Sequence, residues 1–380
     1  MKKFLKGALS LMLALACTLS MVACGSNGGN QTSAAASSTS GNTITITDHN
    51  GNQVEVPKKI DRVVICDIYP LPSVMTVFFD SAEKLVGIHE ASMSAAKSGL
   101  LGELYPEILK AETGFMKGST LNVEELTKLN PDVVFYNSSS KEVGEQLKNA
   151  GIPGIAVSAS KWDYDSITTL TEWIKLLDQL FPENGKADKV DKYSKEKYQF
   201  VQDRVKDIKD ADKRKAFFIM NYNDTTFTSS GAHFFGQWWC DAIGAKNVAE
   251  EIDKDNNVPV TIEQVYKWNP ELIFITNFNQ VLPDDLYGNK VASHDWSSVE
   301  AVAKKNVAKL PLGIYRTYTP GVDTPITLLW MAKQAYPDKF KDVDITKETK
   351  EYYKAVFGIE ITDTQVEKMF NSKAEAGKGF

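Results

Sequence analysis

Asn122-Val-Glu-Glu-Leu-Thr-Lys-Leu-Asn-Pro-Asp-Val-Val-Phe-Tyr-Asn137 recurs 139 residues later, without a gap, as Thr261-Ile-Glu-Gln-Val-Tyr-Lys-Trp-Asn-Pro-Glu-Leu-Ile-Phe-Ile-Thr276. Glu124 matches Glu263, Lys128 matches Lys267, Asn130-Pro131 matches Asn269-Pro270 and Phe135 matches Phe274. In each copy a polar residue able to cap a helix (Asn122, Thr261) precedes a short helical segment. Asn-Pro ends that segment, because the residue before proline is pushed out of the α region, and an apolar strand follows. One such unit fits any α/β protein; two at equivalent places predict pseudo-symmetric lobes.

Outward from the first copy, short β-branched runs (Arg62 to Cys66, Leu85 to Ile88, Asp132 to Tyr136, Gly154 to Val157) alternate with helix-patterned segments such as Leu71 to Phe79 and Lys141 to Ala150. That alternation predicts a parallel sheet covered on both faces. From Tyr164 to Asp210 the strand signal vanishes, and it resumes at Ala216 to Asn221, Glu271 to Thr276 and Val307 to Lys309. The predicted fold class is α/β: two Rossmann-like lobes, 43–183 and 211–380, joined by a long helix at 184–210, with a cleft between the lobes.

The chain has 380 residues, too many for one ordinary core, and its 43 Lys plus Arg against 49 Asp plus Glu give a net charge of −6. Lys2, Lys3 and Lys6 stand in an acid-free N-terminus; without them the balance is 40 against 49, or −9. So acidic a body lacks the cationic footprint of a nucleic-acid binder. Four cysteines exclude a disulfide scaffold.

Residues 1–23 read as a signal peptide, with a basic start and an apolar run, Ala8 to Met21, short for a bilayer span. The run ends Met21-Val-Ala-Cys-Gly-Ser26, similar to a bacterial lipobox in which Cys24 is acylated and becomes the new N-terminus. From Gly25 to Asn42 the chain holds only Gly, Ser, Asn, Gln, Thr and Ala. Such a segment cannot bury a core and makes 24–42 a flexible tether with a reach of roughly 23 Å. The expected location is the extracytoplasmic face of a bacterial cell membrane, held by lipid.

The opening Thr45-Ile-Thr-Asp-His-Asn-Gly-Asn-Gln-Val-Glu-Val-Pro57, the paired Val-Glu-Glu-Leu and Ile-Glu-Gln-Val units, Ala150-Gly-Ile-Pro153 and Gly244-Ala-Lys-Asn-Val248 together resemble the substrate-binding proteins of iron-siderophore, haem and cobalamin ABC importers. The resemblance covers about Thr43 to Phe370. It implies a rigid connecting helix, a ligand held between the lobes with little closure, no cofactor beyond that ligand, and a monomer that delivers it to a permease dimer driven by a cytoplasmic ATPase. It also implies that Glu124 and Glu263 form salt bridges with permease arginines. Read locally, each of these acids lies in the first turn of its helix, where the helix dipole favours a carboxylate.

Ligands of open parallel sheets sit beyond the carboxyl ends of the strands. Those ends nominate Asp67, Tyr69, His89, Tyr136, Asn137 and Trp162 in the first lobe. The second offers Tyr222, Asn277, Arg316 and Tyr318, with His233 and Trp238 from the aromatic stretch Gly231 to Cys240. Trp and Tyr combine flat contact area with a polar tip, which suits a bulky, partly aromatic ligand. Arg316 lies in an otherwise uncharged stretch, Leu310 to Pro320, and is expected to meet an anionic chelate or a propionate. With a single clear cleft arginine, haem or a corrinoid rivals an iron-siderophore complex as ligand.

Nucleotide-binding glycine motifs, the nucleophile elbow and the His-Glu-x-x-His zinc motif do not occur, so no enzyme chemistry is expected. Four scattered histidines make a binder of free Zn or Mn the nearby alternative. A non-transport surface lipoprotein is the alternative from a different class.

Overall fold

In the two copies of the repeat the backbone follows one plan, with a side-chain cap at the helix start and an acid-anchored strand after it. The computed structural model describes residues 41–254 and 257–379, which leaves the signal-like segment, Cys24 and most of the tether outside the described residues. Asn122 Oδ1 accepts the N–H groups of Glu124 (3.1 Å) and Glu125 (3.2 Å) at the start of helix Val123–Lys128. The Thr261 hydroxyl and the Gln264 side chain cap each other's backbone at the start of helix Ile262–Trp268. Both helices end at an asparagine in the left-handed region, Asn130 and Asn269, each at φ 44°. Each has left the right-handed α region before its proline, as expected. Asparagine tolerates the left-handed basin, a second way out of the α region before proline.

The acid after each Asn-Pro anchors the neighbouring strand. Asp132 Oδ2 accepts the N–H groups of Asp61 (2.7 Å) and Arg62 (2.8 Å), and Glu271 accepts the N–H of Lys215 (3.0 Å). A basic side chain in turn bonds a carbonyl at the end of each helix: Arg62 reaches Leu129 and Lys215 reaches Trp268, the two accepting residues again standing 139 apart.

Two four-stranded parallel sheets result. The first runs Leu85–Ile88, Val63–Ile65, Val133–Asn137, Gly154–Val157, and the second Lys246–Asn247, Lys215–Ile219, Leu272–Ile275, Val307–Lys309. Taken in chain order, both have the strand order 2-1-3-4, so the sequence repeat occupies the third strand of each. Alternate strand residues enter different cores, Val133 and Phe135 on one face of the first sheet and Val134 and Tyr136 on the other. Helix Ala187–Val205 buries Val190 in the first core and Val201 and Val205 in the second. Among the described residues no helix is long and apolar enough to cross a membrane.

The second lobe is not closed in sequence as 211–380 would have it. Tyr352, Tyr353, Val356, Phe357, Val366 and Met369 return to the first core, because the amphipathic segment after residue 344 finds its apolar partner on the first sheet's side. Asp323 links the two regions: its carboxylate accepts the Ile314 N–H (2.8 Å) and the Tyr353 hydroxyl. The fit is tight, since a Cβ on Gly313 would lie 2.3 Å from Asp323 Oδ2.

Burial pushes the Asp323 carboxyl up from 3.8 to about 6. A carboxyl protonated more readily in the folded chain than in the unfolded one adds stability as pH falls through about 6 and loses it as pH rises. Asp323→Asn is therefore expected to gain about 1.4 kcal/mol on the unsubstituted chain between pH 5 and pH 8, read by denaturant unfolding. Parallel pH profiles would remove Asp323 from the linkage.

Candidate functional site

The strand order places a switch point between the first and third strands of each sheet, where successive connections leave toward opposite faces and a crevice opens. The residues beyond those strand ends line one cleft of about 420 Å³: Asp67, Tyr69, Asn137 and Ser139 from the first sheet, Asn221 and Phe278 from the second. Tyr164, Trp173, Phe234, Phe235 and Tyr315 complete the aromatic part of its wall, with Thr319 beside them. The volume lies in the range of small-molecule sites, about 300 to 1,000 Å³.

Asp67 ties the two strand ends together. Its Oδ1 accepts the Asn137 N–H (2.8 Å) and its Oδ2 accepts the Ser140 hydroxyl. The Tyr69 carbonyl accepts the Ser92 hydroxyl (2.7 Å), and its ring lies 4.5 Å from that of His89. His89 caps helix Glu90–Ser98 by accepting the Ala91 N–H at Nδ1 (3.0 Å), so its proton sits on Nε2 and points to the Gly118 carbonyl (3.0 Å). Burial, with Asp67 and Glu90 nearby, holds the Tyr69 hydroxyl above its ordinary range.

The opposite wall is a cluster of rings. Tyr164 lies 4.9 Å from Phe234 and 5.1 Å from Phe235, and Phe234 is 4.8 Å from Phe235. Behind them Tyr318, fully buried, stands about 6 Å from Phe234, Phe235 and Phe278. Tyr164 reaches the cleft from a left-handed backbone, φ 58°, unusual for a bulky residue and held here by the ring packing. Lys, Arg and His do not line this cleft among the described residues; Asp67 is its one ionisable carboxyl.

Of the residues nominated from sequence, the structure brings Asp67, Tyr69 and Asn137 together in the cleft wall. His89 supports Tyr69 and Tyr318 backs the rings, both from behind the wall. The others are elsewhere. Tyr136 points to the far face of the first sheet, against Gly144, because adjacent strand residues alternate. Trp162 packs edge-on to His49, ring centres 4.9 Å apart. Tyr222 is buried with Trp296 and His294, its hydroxyl bonded to both. His233 sits on the surface, paired with Asp253 at 2.7 Å. Trp238 lies against Trp239. Asn277 is buried and donates to the carbonyls of Leu310 (2.7 Å) and Pro311 (2.9 Å).

Arg316, expected in the cleft, is 1% exposed and donates to three backbone carbonyls. Its neighbour Tyr315 takes the cleft position instead. Glu124 and Glu263 are exposed, and neither enters an ion pair among the described residues. The Glu263 carboxyl is held below its usual range by its own N–H and the Thr261 hydroxyl. Among the described residues no group of three or more His, Cys, Asp or Glu side chains is gathered to hold a bare metal ion.

A family model described as periplasmic binding protein matches residues 81–312, more than half of the chain. The chain is 27% identical over 338 residues to the molybdate-binding protein MolA of Haemophilus influenzae, covering 82% of this chain and 90% of that protein. To the ABC transporter substrate-binding lipoprotein YvrC of Bacillus subtilis it is 26% identical over 328 residues, 85% of this chain and 95% of the relative. Its fold superposes on a periplasmic solute binding protein from Veillonella parvula with a TM-score of 0.77 at 27% identity, over 89% of this chain and all of that one. With the match spanning both sheets and the cleft lying at their switch points, the chain belongs to the periplasmic binding protein family, the extracytoplasmic, non-catalytic solute-binding components of ABC transporters.

Proposed function

We propose that this protein, anchored by lipid on Cys24, captures a metal chelate with a large apolar or aromatic surface and hands it to an ABC permease dimer. The ligand class is an iron-siderophore complex of neutral or positive charge, haem or a corrinoid. The observation that carries the reading is the cleft lining: seven aromatic side chains, hydroxyl and amide groups for orientation, and Asp67 as the charged member. Burying a strong anion there would place it near a carboxylate with no cation lining the site to offset the cost. That speaks against a catecholate iron complex, requires the propionates of a bound haem to stay at the open mouth in solvent, and revises the role expected of Arg316.

The likeness to MolA favours a second reading, a molybdate site. A compact dianion would draw on backbone N–H, hydroxyl and amide donors alone, and would leave the aromatic wall without a partner. Native mass spectrometry of the protein against ferric hydroxamates, haem, cobalamin and molybdate decides between them. Retention of a chelate supports the first reading, and retention of molybdate alone overturns it. For the anchor, Cys24→Ala is expected to leave ligand binding intact and to release the protein from the membrane fraction. Variant protein that still sediments with membranes would contradict the lipid anchor.

A further inference from the structure

Arg316 reaches across the edge of the cleft and grips backbone on its other side. Its Nε donates to the Ala376 carbonyl (3.0 Å), its Nη1 to Ala91 (2.9 Å) and its Nη2 to Lys378 (2.9 Å). Ala91 lies at the start of helix Glu90–Ser98 in the first lobe, whereas Ala376 and Lys378 belong to the C-terminal tail. The tail itself touches both sides. The Ser94 hydroxyl donates to the Lys378 carbonyl, and Gly377 rests on the loop after Leu272–Ile275 so closely that a Cβ would fall 2.0 Å from the Asn279 carbonyl oxygen. Only glycine permits that approach.

Each end of this set of contacts meets a wall of the cleft. On the first lobe, helix Glu90–Ser98 starts at His89, which packs on Tyr69, and its Ser92 bonds the Tyr69 carbonyl. On the second, the Arg316 guanidinium carbon is 5.6 Å from the centre of the Tyr315 ring, and Asn279 directly follows Phe278. Tyr69, Tyr315 and Phe278 all line the cleft.

We propose that Arg316 is a positioning residue: fastened to backbone of the first lobe and of the tail, it sets the separation between the Tyr69 wall and the wall formed by Tyr315 and Phe278. A guanidinium suits the task, because its planar fork satisfies carbonyls from separate segments at once and keeps its charge at any physiological pH. A lysine offers one compact charge and cannot span the three acceptors. Loss of the side chain removes a guanidinium donor from all three carbonyls, two of those bonds being buried, so the tail and the helix start no longer share a fixed partner. The consequence for affinity rests on the cleft being the ligand site; the geometric claim does not, and the test is made without ligand.

Genetically encoded spin labels at Lys148 on the first lobe and Lys267 on the second, both exposed, report the distance between lobes by pulsed electron resonance. The unsubstituted protein is expected to give one narrow distribution. Arg316→Met and Gly377→Ala should each at least double its width, Gly377→Ala remaining folded at a lower melting temperature, and Arg316→Lys should not restore it. Distributions as narrow as the original in both Arg316→Met and Gly377→Ala would overturn the proposal, as would full restoration by Arg316→Lys. Should Arg316→Met fail to fold, Gly377→Ala decides alone. A ligand bound elsewhere would leave these widths unchanged, so failure of the clamp and failure of the ligand reading are told apart.

Discussion

Glu124→Lys together with Glu263→Lys is expected to abolish uptake in vesicles reconstituted with the permease, while ligand affinity stays within about threefold, a difference below roughly 0.7 kcal/mol. The two acids occupy one position of the repeat, two residues after the caps Asn122 and Thr261, and both point to solvent. Neither lines the cleft. Placing a cation in the first turn costs about 0.3 to 1 kcal/mol of helix stability at each site, too little to unfold the chain. What the substitutions remove is one negative charge presented on each lobe, the arrangement that a permease dimer with one basic pocket per subunit can read. Exposed charge pairs of this kind steer encounter and fix register. Normal uptake by the double variant would end the docking role, and lost ligand binding would move the two glutamates into the cleft or the fold.

Phe234→Ala is expected to weaken ligand binding 30- to 100-fold, about 2 to 3 kcal/mol, measured by calorimetric titration. Phe234 is half-buried and stands between Tyr164 and Phe235 at the centre of the aromatic wall, where a flat ligand face would make most of its contact. Its ring is partly open to the cleft in the free protein, so truncation should cost far less in stability than in affinity, on the order of 1 kcal/mol. An unchanged dissociation constant would take the aromatic wall out of the binding surface. Because Tyr318 and Trp239 lie behind the wall rather than on it, their truncation would instead lower the melting temperature first.

Fold and site were legible to different depths, and the difference has a physical cause. The repeat, its caps and the alternation of strand and helix patterns act locally, so the parallel sheets could be read from short stretches. The same patterns located the right segments of the cleft, since strand ends at a switch point are set by topology. The side of the chain facing inward was harder to read, because neighbouring residues of a strand point to opposite faces. Tyr136 was expected together with Asn137, and only Asn137 lines the cleft; Asn277 was expected where Phe278 stands, Tyr222 where Asn221 stands and Arg316 where Tyr315 stands. Each slip is a single residue. In helix Phe235–Ile243 the slip was of helical phase: Trp238 lies against Trp239, while Phe234 and Phe235 at the helix start face the cleft.

One signal for the correct phase was present in the sequence. Large aromatic residues directly beside a polar strand end, as in Asn277-Phe278, pack where the polar partner turns inward to bond the next loop, and Asn277 does so with Leu310 and Pro311. The return of residues 345–370 to the first core had no comparable local mark. An amphipathic helix specifies that one face is buried, not which of two cores receives it.

The account's central claim is that a chelate occupies the cleft between the two sheets. The most direct measurement is a calorimetric titration of the unsubstituted protein and of Ala159→Trp, which fills the cleft from its partly exposed edge, with haem, cobalamin, a ferric hydroxamate and molybdate. The account predicts one-to-one binding of a chelate by the unsubstituted protein and none by Ala159→Trp. Chelate binding unaffected by the tryptophan, or one-to-one binding of molybdate with no chelate bound, would contradict it.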